Sequence, residues 1–350
     1  MTTNTKNAAF QIAGETIAPG ERRIVDLPIS VLSNHTPVNL SVKVVNGRRA
    51  GPVFFVSAAV HGDEIMGVEI IRRVLGSSQL RQMRGTLLAV PVVNAFGFIS
   101  HSRYLPDRRD LNRTFPGSDK GSLAAQLADL FLNEVVLRAD FGIDLHTAAI
   151  HRTNLPQIRY SNPSAQMKRF ASVFGAPVVI EADERPGTLR QTARERGVEM
   201  LLYEAGEALR FDEFSVRIGV RGILTVMREL GMLTKKALKP AKHPPIRSRS
   251  SYWMRADAGG ILRAHKTIGD LVESDEVVGY ISDPFGDQEV EARVRDGGLV
   301  IGRTNLPVVN QGDALFHIAR VSRRTVAEDH LDEIEEELVD HPLFDEDEII

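Results

Sequence analysis

The chain has 350 residues, with 43 Lys and Arg, 46 Asp and Glu, 10 His and no cysteine. The absence of cysteine excludes a disulfide framework, a thiolate-ligated metal site and a cysteine nucleophile, so any transition-metal site must use histidine and carboxylate ligands. The composition, 43% hydrophobic and 25% charged, is typical of a globular protein, and the length favours two domains. The first ten residues lack a signal-peptide pattern and no apolar run has membrane-spanning length, so we expect a cytoplasmic protein with no membrane partner.

The net charge of -3 is unevenly distributed along the chain. Residues 325–350 hold twelve acidic residues and no Lys or Arg, which leaves 43 basic and 34 acidic residues, a formal charge of +9, over residues 1–324. The basic residues are scattered, without interleaved aromatic side chains, so we expect no nucleic-acid partner. An excess of positive charge fits a small anionic substrate.

Strands and helices alternate in the predicted secondary structure. Residues 22–46 alternate in polarity as two edge strands, and the uninterrupted apolar run 53–60 indicates a strand buried on both faces. The further predicted elements are a helix over 65–74, a strand over 86–93, a helix over 123–135 capped by Ser122, a strand over 141–145, a helix over 167–174, a strand over 198–203 and a helix over 216–233. This order favours an α/β fold with a largely parallel or mixed sheet.

The composition changes near residue 235. A Pro-rich, charged linker over 239–247 marks the predicted boundary of a first domain, 1–238, whose residues 1–50 contain the edge strands. Beyond the linker, closely spaced glycine-containing turns predict a small all-β module over 248–323. The acidic C-terminal tail, 324–350, has the composition of a solvated segment.

Histidines and carboxylates follow two of the predicted buried strands. The sequence HGDE at 61–64 follows the apolar run 53–60, and DLH at 144–146 ends another. Such residues at strand ends can converge on one cation, and ligands bind at the carboxyl ends of strands in α/β sheets. Two His and one Glu would leave an open position on zinc, as in catalytic sites.

The residues alone leave alternatives open. Asp63 is a competing carboxylate, and His101 and His151 are competing imidazoles. A histidine after a strand, such as His146, is often an ordinary hydrogen-bonded polar residue.

Four separated motifs resemble those of the succinylglutamate desuccinylase and aspartoacylase family, relatives of the zinc carboxypeptidases. In the family's order they are HGDE at 61–64, DLNRTFPG at 110–117, DLHT at 144–147 and EAG at 204–206. The resemblance implies a zinc-carboxypeptidase-like mixed central sheet flanked by helices, with a small C-terminal all-β domain similar to a barrel-sandwich. The C-terminal run resembles a biotinyl or lipoyl-type barrel, but no lysine stands near Arg303 at its tip, so we expect no carrier function.

The resemblance also implies roles for individual side chains. These are His61, Glu64 and His146 as ligands of one Zn²⁺ per chain, Glu204 as general base, Arg103 as the group that polarises the scissile carbonyl, and Asn112 and Arg113 as the residues that hold the substrate's carboxylate. Arg108 and Arg109 compete with Arg103, and Glu207 competes with Glu204. Asp144 could support His146 or cap a neighbouring turn.

These roles imply a zinc-dependent amidohydrolase, a deacylase that hydrolyses the linear amide bond of an N-acyl amino acid by a zinc-bound water with a Glu general base. The alternative is a zinc carboxypeptidase-like hydrolase of a peptide or C-terminal amide. A non-catalytic metal-binding regulatory protein is a third hypothesis. We expect a small anionic substrate, an N-acyl amino acid or related amide, as the partner; a homo-oligomer is left open. The loop 181–188 is expected to help shape the pocket.

Overall fold

The computed structural model of the chain describes residues 5–234 and 244–321. Its strands are β1 Phe10–Ile12, β2 Glu15–Ile17, β3 Arg22–Val31, β4 Pro37–Asn46, β5 Arg49–Ala58, β6 Arg84–Val90, β7 Phe141–Ala148, β8 Arg152–Tyr160, β9 Val178–Glu181, β10 Glu199–Glu207, β11 Ile246–Ser248, β12 Ser251–Arg255, β13 Gly260–Ala264, β14 Leu271–Val272, β15 Val277–Ser282, β16 Glu289–Arg293, β17 Gly298–Thr304, β18 Val308–Val309 and β19 Ala314–Ala319. Its helices are α1 Met66–Gly76, α2 Ala95–Ile99, α3 Leu123–Glu134, α4 Ala165–Phe174, α5 Leu189–Glu195 and α6 Glu213–Glu229. Most of the predicted linker, 239–243, and the predicted acidic tail lie outside the described residues.

A mixed sheet of thirteen strands runs through the molecule. Its main path is β12-β19-β17-β8-β10-β7-β5-β6-β4-β3, with β9, β11 and β14 paired beside that path. Strands β6, β5, β7 and β10 pair in parallel, so their carboxyl ends meet at one edge of the sheet. Strands β3 and β4 pair antiparallel at one end of the path. The predicted α/β fold with a mixed sheet is confirmed.

Apolar cores cover both faces of this sheet. On one face, α1, α4 and α6 bury side chains such as Ile70, Phe174 and Val216 against the strands. On the other face, α3 and the β1-β2 hairpin pack around Phe55 and Phe131. Helix α3 begins as predicted at Ser122, whose hydroxyl accepts a hydrogen bond from the amide of Ala125. The central strands are therefore buried on both faces, and their side chains reach the pocket at the strand ends.

The C-terminal strands extend the main sheet as well as forming one of their own. Strands β13, β15, β16 and β18 form a second, antiparallel sheet. This sheet shares an apolar core with β12, β17 and β19. Strand β17 pairs antiparallel with β8, so the main sheet continues from the N-terminal part of the chain into the C-terminal part. The all-β character of residues 248–321 is as predicted, and the domain boundary stays a prediction.

None of the helices in residues 5–234 and 244–321 is both long enough and apolar enough to cross a membrane.

Candidate active site

The pairing register of the parallel strands brings three of the four motifs together. Residues 61–64 follow the end of β5, and β7 pairs with β5 so that Leu145 lies beside Ala58. In the next pair, His146 of β7 lies directly beside Glu204 of β10. Because residues paired in neighbouring strands point to the same face, Glu204 and His146 project together at the edge of the sheet.

Strand β10 is irregular just after Glu204. Its pairing with β7 shifts register between Glu204 and Glu207, and its pairing with β8 shifts between Glu204 and Gly206. Gly206 has φ +64°, a left-handed conformation that glycine adopts without steric cost. A bulge changes the direction of the side chains next to it, and this explains why a glycine stands at the third position of the EAG motif.

His61, Glu64 and His146 form a compact buried group that could hold a metal ion. One ligand atom from each lies within 4.8 Å of the others. Nδ1 of His61 is 2.7 Å from Oε1 of Glu64, and Nδ1 of His146 is 2.7 Å from Oε2 of the same carboxylate. All three residues are less than 7% exposed. Two buried imidazole nitrogens and a carboxylate that converge in this way are a donor set that fits a divalent transition metal.

Two further carboxylates orient the imidazoles. Asp110 approaches Nε2 of His61 at 3.1 Å, and Asp144 approaches Nε2 of His146 at 2.7 Å. Asp144 in turn accepts a hydrogen bond of 2.7 Å from the hydroxyl of Ser57 on β5. Metal-ligating histidines commonly donate their second N–H to a carboxylate, which fixes the ring and its tautomer. Asp144 therefore supports His146, the first of the two interpretations given above.

The charges of this group compensate one another. Burial opposes ionisation of Glu64, but His61 and His146 hold its pKa well below the ordinary range. Burial would likewise lower the pKa of His146, but Asp144 and Glu64 raise it well above the ordinary value. The protons that the imidazoles share with Glu64 occupy the lone pairs that a cation would use, so metal and protons compete for this site.

Arg103 lies in the pocket beside the proposed ligands. Its Nη1 donates to Oε1 of Glu64 at 3.2 Å, and its Nε and Nη2 donate to Oδ2 of Asp110 at 3.2 and 2.9 Å. Arg108 and Arg109 are exposed, and Arg109 is 3.6 Å from Asp107. The described residues that line the pocket include Arg103 and neither of its two competitors.

Glu204 faces the same pocket from β10. Its Oε2 accepts a hydrogen bond of 2.8 Å from the side-chain amide of Asn154, and its Oε1 lies 3.7 Å from Nη1 of Arg159. Glu207 is committed elsewhere, because its carboxylate accepts bonds from the amide of His151 and from the side chain of Asn305. The other competitors, Asp63, His101 and His151, are also not among the described residues that line the pocket.

Asn112 and Arg113 lie in a short 3-10 helix, Leu111–Arg113, beside the start of α5. Oδ1 of Asn112 accepts a hydrogen bond of 2.9 Å from the amide of Leu189, which leaves its side-chain NH₂ group as a donor. Arg113 is exposed and lines the pocket. The predicted contribution of the loop 181–188 is visible here, since Asp183, Arg185 and Thr188 also line the pocket.

The pocket, about 590 Å³ in volume, is rich in arginine. The arginines that line it are Arg103, Arg113, Arg152, Arg159, Arg185, Arg190 and Arg255. Burial lowers the pKa of Arg190, whose Nη1 has no hydrogen-bond partner among the described residues. Seven guanidinium groups against four lining carboxylates, those of Glu64, Asp144, Asp183 and Glu204, favour an anionic ligand.

The C-terminal strands supply one wall of this pocket. Ser251, Tyr252, Trp253 and Arg255 come from β12, and His317 comes from β19. The rings of Trp253 and His317 stack with centroids 4.6 Å apart. No local sequence pattern indicated this wall, because it depends on the pairing of β17 with β8.

The pH dependence of stability should report on His317. Burial, with a smaller effect of Arg159, lowers the pKa of His317 to about 3 in the folded protein, against an ordinary value of 6.5 in the unfolded chain. Between pH 6.5 and pH 3, the unfolded chain binds a proton at His317 and the folded protein does not. The free energy of unfolding therefore falls as the pH drops below 6.5, by about 2 kcal/mol at pH 5. Urea unfolding at pH 7 and pH 5 gives the difference in free energy of unfolding between a His317→Leu variant and the native chain. This difference should shift in favour of the variant by that amount from pH 7 to pH 5. An unchanged difference between the two proteins would show that His317 does not titrate in this way.

Several site residues were absent from the sequence-based prediction. Asp110 was recognised only as the first residue of its motif, and Asn154, Arg159 and Trp253 carried no local signal. Asp110 lies 49 positions from His61, so only the folded chain shows that the two side chains meet.

The fold and site together define an α/β protein with a buried His-Glu-His group, capable of holding a metal ion, at the carboxyl ends of parallel strands. The family model described as the succinylglutamate desuccinylase/aspartoacylase catalytic domain matches residues 50–230, and the chain belongs to this family. A curated relative, the N-alpha-acetyl-L-2,4-diaminobutyric acid deacetylase of Halomonas elongata, is 28% identical over 297 residues, 81% of this chain and 86% of the relative.

Solved structures share the fold over nearly the whole chain. A succinylglutamate desuccinylase/aspartoacylase from Rhodobacter sphaeroides has a TM-score of 0.77 at 24% identity, covering 91% of this chain and 99% of that one. The product-bound ectoine utilization protein EutE (DoeB) from Ruegeria pomeroyi has a TM-score of 0.78 at 23% identity, covering 91% of this chain and 100% of that one. These likenesses show the fold, and the match of the family model confirms the predicted family.

Proposed function

We propose that this protein is a zinc-dependent amidohydrolase that removes the acyl group from a small, anionic N-acyl amino acid. The observation that supports this most directly is the placement of Glu204 in the same pocket as the buried group of His61, Glu64 and His146. Membership of a family that includes desuccinylases and aspartoacylases supports hydrolysis of an amide bond. The arginine-rich lining supports an anionic substrate.

The chemistry can be assigned to individual side chains. His61, Glu64 and His146 would hold the metal, and bound Zn²⁺ supplies a Lewis acid that polarises a carbonyl and acidifies water. Glu204 accepts a proton from the attacking water and passes it to the leaving amine. Arg103, held in place by Asp110, donates to the carbonyl oxygen as negative charge develops on it.

The substrate is held by its carboxylate. The free NH₂ group of Asn112 and the exposed guanidinium of Arg113 are directional donors on one side of the pocket. Residues of β12 and β19 line the pocket as well, which limits the room for a long chain beside the proposed metal site. This wall favours an N-acyl amino acid over a long peptide, the substrate of the carboxypeptidase-like alternative.

A substrate panel tests this proposal. The panel contains N-acetyl and N-succinyl amino acids, including N-α-acetyl-2,4-diaminobutyrate because of the Halomonas relative, together with dipeptides of the same residues. We expect kcat/KM for at least one N-acyl amino acid to exceed that of every dipeptide. Converting the carboxylate of the best N-acyl amino acid to an amide should lower kcat/KM about ten- to hundredfold, because a charge-assisted hydrogen bond to the substrate is lost.

The other hypotheses predict different results for the same panel. Hydrolysis of dipeptides alone would identify a carboxypeptidase-like enzyme. A purified protein that holds no zinc and hydrolyses no member of the panel would favour the non-catalytic regulatory protein. Metal analysis of the same preparation therefore accompanies the assay.

A further inference from the structure

Asn154 is a buried polar side chain that touches Glu204. Its Nδ2 donates to Oε2 of Glu204 at 2.8 Å, and Asn154 is only 5% exposed. A carboxylate only accepts hydrogen bonds, so the amide must present its NH₂ group to Glu204. Arg159, on the same strand, stands 3.7 Å from the other oxygen. Strand β8 thus supplies a hydrogen bond to one oxygen of Glu204 and a nearby positive charge to the other.

Asn154 packs against the C-terminal part of the chain. Strand β17 pairs with β8 so that Gly302 lies opposite Asn154. A Cβ atom on Gly302 would lie 2.7 Å from Oδ1 of Asn154, which is closer than the van der Waals contact of a carbon and an oxygen atom allows. Gly302 also pairs with His317 of β19, a residue of the pocket wall. The absence of a side chain at residue 302 leaves the space that the Asn154 amide occupies.

We propose that Asn154 is a positioning residue for Glu204, and that Gly302 of β17 leaves the room that this position of the amide requires. The inference rests on the proposed function, because it needs Glu204 to be the general base. It gives the C-terminal strands a second role besides forming a wall of the pocket: they leave room for the amide that orients the base. Asn154 contacts Glu204 and has no direct part in the reaction.

The first test is an Asn154→Ala variant of the full chain. Without the amide, Glu204 loses a charge-assisted hydrogen bond and samples other rotamers, so kcat should fall about ten- to hundredfold while KM changes little. Zinc content and the thermal unfolding midpoint are measured on the same sample. Unchanged kcat in a folded, zinc-loaded variant would overturn the proposal.

An Asn154→Asp variant separates positioning from a purely structural role. A second carboxylate beside Glu204 disfavours its ionised form. The acid limb of the kcat/KM profile should therefore move to higher pH by about one unit, whereas a packing defect would lower activity equally at every pH. An acid limb that stays in place would contradict the contact between the two side chains.

A Gly302→Ala variant tests the role of β17. The new methyl group should displace the Asn154 amide and lower kcat as Asn154→Ala does. Because both changes act on one contact, adding Gly302→Ala to Asn154→Ala should cost little more. Full additivity of the two losses would show that Gly302 acts independently of Asn154.

The chain offers a control with the same chemistry at Glu207, which lies on β10 as Glu204 does. Nδ2 of Asn305 donates to Oε2 of Glu207 at 2.9 Å, the same chemical contact three residues further along β10 and away from the pocket lining. Asn305→Ala should leave kcat unchanged. A loss equal to that of Asn154→Ala would overturn the proposal.

Failure of this inference is distinguishable from failure of the proposed function. If Glu204→Gln removes activity and Asn154→Ala does not, Glu204 is the base and Asn154 does not position it. If Glu204→Gln keeps full activity, the proposed function itself fails.

Discussion

A Glu64→Gln variant is expected to lose most of its zinc and to lower kcat/KM by about a thousandfold or more, since a metal contributes several kcal/mol to transition-state stabilisation. Glu64 is the shared partner of both imidazoles, with one oxygen 2.7 Å from each Nδ1. A neutral amide removes the only anionic ligand of the proposed set. The NH₂ group of the glutamine would also face Nδ1 of one imidazole. It must either turn away or donate to the lone pair with which that nitrogen would bind the metal. Zinc per chain after dialysis, measured with kcat/KM, checks this prediction.

The control for this change lies five residues further along the chain. Glu69 of α1 is also an ion-paired glutamate, bonded to Arg72 and Arg73. Glu69→Gln should keep its zinc and its activity, because Glu69 is not among the described residues that line the pocket. Full zinc occupancy in Glu64→Gln would show that the metal is bound elsewhere or that the group is not a metal site.

The central strands were predictable because of the way a parallel sheet is buried. Strands β5, β7 and β10 are covered on both faces by helices, so their sequences are nearly continuous apolar runs. Strand β8 was not predicted, because Asn154 and Gln157 interrupt its apolar pattern at buried positions. The side-chain amide of Asn154, which interrupts the apolar pattern, also contacts Glu204. The polar residue that serves the site is thus the one that makes the strand difficult to predict.

The candidate site was predictable in its motifs and not in its supporting contacts. His61 and Glu64 are three positions apart in one loop, so their proximity follows from local geometry. Asn154 and Glu204 are 50 positions apart, and their contact needs the antiparallel register of β8 with β10. The pocket wall needs a further pairing, that of β17 with β8. Sequence patterns of this kind identify groups at strand ends and cannot give the register between strands.

Helix α5 shows a second physical limit. It spans only seven residues, Leu189–Glu195, of which Leu189, Thr192 and Ala193 are buried. So short an element gives no repeated apolar stripe, and its N-terminus is stabilised by the side chain of Asn112 from a distant loop. Tertiary contacts rather than local periodicity determine this helix.

A Glu204→Gln variant is expected to keep its zinc and to lose about 10²- to 10⁴-fold in kcat, the contribution of a general acid and base. Glutamine has the shape of glutamate, and its carbonyl oxygen can still accept the bond from Asn154, so the pocket should stay intact. It cannot accept a proton from water. KM should therefore change far less than kcat, and metal analysis beside steady-state kinetics checks both parts of the prediction.

Glu207→Gln is the matched control for this last change. Glu207 lies three residues further along β10, and its carboxylate is bonded to the amide of His151 and the side chain of Asn305 rather than to the pocket. It should keep full kcat, which would exclude a general effect of removing a negative charge from this strand. Normal turnover by Glu204→Gln would contradict the assignment of Glu204 as general base. Loss of zinc in Glu204→Gln would instead place Glu204 among the ligands, so the two variants Glu64→Gln and Glu204→Gln together separate metal binding from proton transfer.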